Sequence, residues 1–182
     1  LEPTDSQEAY DFMIKAIMLS EEWQIPFMLR LTTRICHSKT LVEPAHGLPQ
    51  GELPHYERDV HGRVMIPAFA RPAHVKLRDK INKITQWNET SDLNLVSIND
   101  QSLGIITSGV SYTHACEAAP NASFLKIGMS YPLPMRKIRD FVQQVDRALV
   151  IEEGDPYLYT QLRTAGLDVE GKDEIYRFGE LN

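Results

Sequence analysis

"LGIITSGVSYTHACEAAPNASFLKIGMS", residues 103–130, decides the fold. Leu103 to Thr107 is a short apolar run without polar alternation, which fits a strand covered on both faces. Ser108-Gly109 breaks it, and "VSYTHACEAA" (110–119) follows with helical character. "SFLKIGM" (123–129) is a second apolar run of strand length. Downstream, the pattern repeats. "PMRKIRDFVQQV" starts on Pro134 and turns Ile138, Phe141, Val142 and Val145 to one side. "RALVIEE" (147–153) reads as a third strand. "PYLYTQLRTA" then reads as a helix with Asp155 as N-cap, Pro156 at the first helical position and Gly166 as its stop. The alternation is β-α-β-α-β-α, which implies a parallel sheet with right-handed crossovers. A last short strand is expected near Ile175–Phe178.

Upstream, Thr4-Asp5-Ser6-Gln7-Glu8 offers two overlapping capping boxes, Thr4 with Gln7 and Asp5 with Glu8. Ala9, Phe12, Met13, Ala16, Ile17 and Met18 recur at helical spacing, so a helix is expected to about Glu22. Ile25 to Leu31 reads as a strand buried on both faces. From Leu41 to about Ala70 prolines and glycines interrupt every period, as in a long connector. His46, His55 and His61 lie inside it at a spacing that matches no metal motif. Arg71-Pro72 is expected to open another helix, with Leu77, Ile81 and Ile84 as a narrow apolar stripe. Arg71, Lys76, Arg78, Lys80 and Lys83 against Asp79 give that helix a local charge of +4. A solvated face or a docking face for an anionic partner would both produce it.

The whole chain has 182 residues and a net charge of -6, with 42% hydrophobic and 24% charged residues. That suits a globular protein and argues against a general nucleic-acid binder, which carries a basic stripe on a basic domain. No apolar stretch of about 18 residues is present to span a membrane, and no signal peptide is recognisable. The two cysteines, Cys36 and Cys116, are far apart and form no C-x-x-C, so a reduced, cytoplasmic setting is expected. The sequons at Asn88 and Asn121 then read as chance matches.

Dinucleotide, P-loop, zincin and nucleophile-elbow motifs are absent from the sequence. Open α/β sheets nevertheless bind ligands outside the carboxyl ends of their strands. Thr107, Ser108 and Gly109 form one such end, where backbone N–H groups favour an anion. Gly128 to Pro132 form a second. Glu152 and Glu153, with Asp155, form a third, able to serve as acid or base groups or to face a cation. The opening run "PFMLRLTTRICHS" (26–38) ends in a packet of polar groups. There Arg34 can fork onto a carboxylate, Thr32 and Thr33 can donate to it, and His37 titrates near neutral pH.

Three stretches carry a resemblance: "LEPTDSQEAYDF…IPFMLRLTTRICHSK", "GIITSGVSYTHACEA" and "LKIGMSYPLPMRKIRDFVQQVDRALVIEEGDPYL…FGELN". Together they resemble the alpha subunits of the thiamine-diphosphate-dependent 2-oxoacid:ferredoxin oxidoreductases, of the indolepyruvate class. The resemblance implies oxidative decarboxylation of aryl-2-oxoacids to acyl-CoA, with ferredoxin as acceptor. It implies a three-layer αβα domain with a mostly parallel sheet, transketolase C-terminal-domain-like, over residues 99–182. Residues 1–40 would be the helix–strand remnant of a pyrimidine-binding domain, and 41–98 a linker with a basic helix. The resemblance also implies thiamine diphosphate, magnesium and iron–sulfur clusters in the parent enzyme. The activating glutamate, the metal–diphosphate motif and the cluster cysteines all lack counterparts in this chain. The segment alone is therefore expected to be inactive and to hold none of those groups. Expected partners are the rest of the alpha subunit, a beta subunit, ferredoxin and coenzyme A. The alternatives are a binding module for coenzyme A or an acidic protein, and a homodimerisation scaffold.

Overall fold

Residues 1–45, 55–174 and 179 are described in the computed structural model. Along the chain run α1 (Ser6–Trp23), α2 (Thr33–His37), α3 (Val60–Arg63), α4 (Pro67–Asn88), β1 (Leu95–Ser97) and β2 (Asp100–Ser108). They are followed by α5 (Ser111–Ala118), β3 (Ala122–Ile127), α6 (Met135–Val142), β4 (Ala148–Ile151) and α7 (Tyr157–Thr164). The strands form one sheet of order β1-β3-β2-β4. β2 pairs in parallel with β3 and with β4, placing Thr107 beside Lys126 on one side and beside Ile151 on the other. β1 adds an antiparallel edge to β3. The mostly parallel α/β architecture expected from residues 103–166 is therefore the observed one, with β1 as an addition. Leu95–Ser97 is too short for its alternation to register as a strand.

Alternate residues of the strands feed opposite layers, because side chains in a strand point to opposite faces. Ile106, Leu125, Ile127 and Val150 pack against Ile138 and Phe141 of α6 and Leu158 and Leu162 of α7. Ile105 and Phe124 face the other way, onto Ala115 of α5. A third cluster joins Phe12, Ala16 and Leu19 of α1 to Ile84 of α4, Leu93 and Met129. Each of these large side chains, fully buried, contributes about 1.5–3 kcal/mol.

α1 starts as its sequence predicts. The Asp5 side chain accepts from Glu8 N at 2.8 Å. Glu8 reaches back one residue further than a standard box and accepts from Thr4 N at 2.9 Å and Thr4 Oγ1 at 2.7 Å. The expected Thr4–Gln7 box does not form; Gln7 bonds Asp11 and the Glu43 backbone instead.

Several expectations are corrected. Ile25–Leu31 is extended but is no strand of the sheet: Ile25, Phe27 and Leu29 lean half-buried on the α1 cluster while Met28 is 77% exposed. Its apolar run reflects packing on the cluster that α1, α4 and Met129 share. The fourth helix begins at Pro67, and Pro72 lies inside it. Proline at the first helical position gives up an N–H that has no intrahelical partner anyway. Pro72 forfeits the bond to Ala68 O, but Ala68 is exposed and water can serve that carbonyl. The α7 N-cap is Pro156, without a side-chain cap of its own, so Asp155 does not cap the helix. The helix does stop at Gly166 (φ +79), where Gly166 N bonds Arg163 O and Leu167 N bonds Leu162 O, the pair of bonds of a Schellman motif. Residues 175–178 and His46 lie outside the described residues. Asn88 is fully buried, which removes its sequon from consideration.

Candidate functional site

The carboxyl ends of β2, β3 and β4 meet at one edge of the sheet, and that edge holds a carboxylate from far upstream. Glu2 is 8% exposed. Its Oε2 accepts from Ser108 Oγ at 2.9 Å and its Oε1 from Ser130 Oγ at 2.6 Å. Glu2 N donates to Gly128 O at 2.8 Å, which fixes residues 1–3 along the end of β3. Gly109 turns with φ +56 beside Pro3 and Glu2. At the Thr107-Ser108-Gly109 turn, where backbone N–H groups are expected to favour an anion, the chain's own Glu2 carboxylate takes the Ser108 hydroxyl. Glu2 escaped the sequence reading because its two partners stand 106 and 128 residues away. Only the carboxylate beside Pro3 hinted at it.

Glu152, at the end of β4, is 6% exposed. Its carboxylate accepts from Leu158 N at 2.8 Å and Tyr159 N at 3.0 Å, so it caps α7 from outside the helix. Burial pushes its carboxyl above the ordinary glutamate range, against the two N–H groups and Lys172, which favour the charged form. The Glu2 charge raises it a little further. Tyr157 donates to Ser130 O at 3.2 Å, and burial, with Tyr131, Glu2 and Glu152 nearby, raises its phenol. Lys172 Nζ donates to Glu152 O and Gly154 O. Glu153 follows on the chain, half-buried.

An asparagine pair holds the β3 end in place. Asn94 Oδ1 accepts from Gly128 N and Met129 N at 3.1 and 3.2 Å. Asn88 Nδ2 donates to Met129 O and Pro132 O at 3.2 and 2.8 Å. Gly128 has no room for a side chain, because a Cβ there would overlap the Leu93 carbonyl oxygen. Beside this loop lies a cleft of about 330 Å³, walled by the 25–30 segment, by Ile81 and Ile84 of α4, and by Met129 to Pro132. Glu2 and Arg30 line it as well, with Arg30 Nη2 at 3.6 Å from Glu2 Oε2.

The second group of expected site residues sits elsewhere. Thr32 is the N-cap of the one-turn α2, which contains Thr33, Arg34 and the exposed His37. Arg34 Nη1 lies 3.0 Å from His114 Nε2 of α5. Buried hydroxyls without a partner among the described residues are those of Thr32 and Thr107. Across the sheet from α6, Lys126 forms a buried ion pair with Glu8 and lies 5.3 Å from the centre of the Tyr112 ring. Cys36 is exposed and Cys116 half-buried. Among the described residues no group of three His, Cys, Asp or Glu side chains converges to hold a metal ion, and no helix is long and apolar enough to cross a membrane.

No protein-family model matches the chain. Curated relatives do. The chain is 34% identical over 197 residues to the indolepyruvate oxidoreductase subunit IorA of Methanothermobacter thermautotrophicus, covering 99% of this chain and 32% of that protein. It is 36% identical over 183 residues to the same subunit of Archaeoglobus fulgidus, covering 97% of this chain and 29% of the other. To the Pyrococcus horikoshii subunit it is 31% identical over 198 residues, covering 100% and 31%. A solved 2-oxoglutarate:ferredoxin oxidoreductase from Magnetococcus marinus, holding 2-oxoglutarate, coenzyme A and succinyl-CoA, overlays 59% of this chain and 20% of its own. Its TM-score is 0.45 at 16% identity. The chain spans about a third of the length of the curated relatives it matches. It is thus homologous, from one end to the other, to a segment of the indolepyruvate oxidoreductase IorA subunit.

Proposed function

We propose that this chain is the part of an indolepyruvate:ferredoxin oxidoreductase that builds a transketolase C-terminal-like domain and ties it to the neighbouring pyrimidine-binding domain. The observation that carries the reading is the identity of 31–36% to named IorA subunits along almost every residue. The parent reaction is the oxidative decarboxylation of an aryl-2-oxoacid to acyl-CoA, with reduction of ferredoxin. A beta subunit, coenzyme A and ferredoxin are its partners, and the cytoplasm is its compartment. Residues 1–40, 41–98 and 99–182 are the remnant, linker and domain of this reading. Glu2, held by Ser108 and Ser130, is the strut between the first and the last.

Thiamine diphosphate, magnesium and iron–sulfur clusters belong to the parent reaction. The side chains described fit neither the clusters nor the metal. A four-thiolate cluster needs more cysteines than the two in this chain, and the described carboxylates and imidazoles form no metal-binding group. In this reading the segment fixes the strand ends and the loop 128–132.

The test is anaerobic expression of this coding region with its genomic neighbours. Indolepyruvate- and coenzyme-A-dependent reduction of a viologen dye is the expected result. Absence of such reduction with every aryl-pyruvate tried overturns the reading. The 182-residue chain alone is expected to show neither turnover nor a thermal shift with thiamine diphosphate and magnesium. A clear shift would move the cofactor site into this segment.

A further inference from the structure

Thr107 puts a hydroxyl into the fully buried half of β2. Ile105 faces α5, so Thr107, two residues on, faces the same layer. It is 0% exposed, and its hydroxyl has no hydrogen-bond partner among the described residues. Its register neighbour on β4 is the apolar Ile151. Its register neighbour on β3 is Lys126, 4% exposed, whose side chain shares that face because Phe124 does. An ammonium carries three donors. Glu8 takes one of them, and among the described residues no second acceptor bonds Lys126. The Tyr112 ring of α5 lies 5.3 Å from Nζ and covers it without accepting a conventional bond. A buried hydroxyl and spare ammonium donors thus stand on neighbouring strands, in one layer, without bonding each other. Polar groups buried in this way are served by ordered water where two or more of them can reach it. Charge decides against other ligands. Glu8 already balances Lys126, so the layer favours a small neutral molecule able both to donate and to accept.

We propose that the layer between the sheet, α1 and α5 is a binding site for one internal water, held by Thr107 Oγ1 and Lys126 Nζ near the carboxyl ends of β2 and β3. The water accepts from the ammonium and bonds the threonine hydroxyl, while the Glu8 carboxylate remains the lysine's counter-charge. Through it β2 joins the tie that Lys126 makes between β3 and α1. The inference needs only this packing and holds whether or not the parent reaction is the one proposed above. A crystal structure of the whole chain that resolves ordered solvent tests it. One peak within hydrogen-bond distance of both Thr107 Oγ1 and Lys126 Nζ is expected, and Thr107→Ser should keep it. Thr107→Val has nearly the shape of threonine without the hydroxyl. It should lose the peak and melt about 2–4 °C lower, the shift that one lost hydrogen bond gives in a chain of this length. Were no water bound, valine would instead melt higher, because it removes a buried hydroxyl that nothing serves. The proposal is overturned if the unsubstituted chain shows no peak, or if Thr107→Val keeps the peak or melts as high as the unsubstituted chain. An anomalous peak at the site in bromide-soaked crystals would also overturn it, because the ligand would then be an anion.

Discussion

Glu2 and Ser108 stand 106 residues apart in the chain, yet the serine hydroxyl donates to the glutamate carboxylate at 2.9 Å inside the fold. With Ser130 on the other oxygen, a single buried carboxylate joins residues 1–3 to the ends of β2 and β3. Replacing Glu2 by Ala leaves two hydroxyls without their acceptor. A loss of about 1.5–3 kcal/mol is expected, the range for hydrogen bonds to a charged group. Urea unfolding measures it. A double-mutant cycle of Glu2→Ala with Ser130→Ala should show a coupling energy well above zero; strict additivity would dissolve the strut.

Two glycines separate crowding from backbone conformation. Gly128→Ala must push against the Leu93 carbonyl and is expected to cost about 3 kcal/mol, the upper range for overpacking. Gly154 has φ +69 and open space where a side chain would go. Its alanine variant incurs only the left-handed penalty, about 1 kcal/mol. Denaturation midpoints that fall in the reverse order would refute this account of the β3 end.

The Lys126–Glu8 pair ties α1 to β3, with the lysine side chain only 6% exposed. Glu8→Gln strands a buried ammonium and should destabilise by about 3 kcal/mol. Lys126→Met combined with Glu8→Gln removes the uncompensated charge and should recover much of that loss. Equal stabilities for the single and double variants would argue that water already reaches the lysine.

Glu152 and Glu170 bend the stability curve in opposite directions. Arg147 grips Glu170 at 3.0 and 2.8 Å and holds its carboxyl below the usual range. The stability that Glu170 contributes is complete above its unfolded value and fades as pH falls through the lowered folded one. Burial raises Glu152, so the folded state binds its proton more tightly than the unfolded chain does. Its contribution is complete below the unfolded value and is lost as pH rises through the raised folded one. Urea midpoints between about pH 3.5 and 7 should lose their acid-side rise in Glu170→Gln and their later decline in Glu152→Gln. The Glu170 effect should be small and should shrink in salt, because that pair is exposed.

The parallel core was legible because Leu103–Thr107, Ser123–Met129 and Arg147–Glu153 are apolar runs separated by helical periods and punctuated by Gly109, Gly154 and Gly166. Local chemistry also showed Asp5 and Gly166 as helix ends. What stayed hidden depends on tertiary partners. Ile25–Leu31 has a strand's composition, but its backbone bonds go to residue 1 rather than to the sheet: Arg30 N donates to Leu1 O. Ser108 and Glu152 were visible as strand-end candidates, whereas Glu2, Arg30 and the Asn88–Asn94 pair join the edge only through long-range contacts that carry no periodic signal.

Both helices that cover the α6–α7 face begin at a proline and receive their caps from elsewhere. Glu89, just past α4, accepts from Arg136 N and Lys137 N at 2.9 Å, as Glu152 does for α7. The α7 cap is near in sequence, from Glu152, but the α6 cap comes from the far end of α4, so a stretch that reads as mere tether carries the acceptor that closes the first turn of α6. Cutting it out would leave α6 to fray from its amino end.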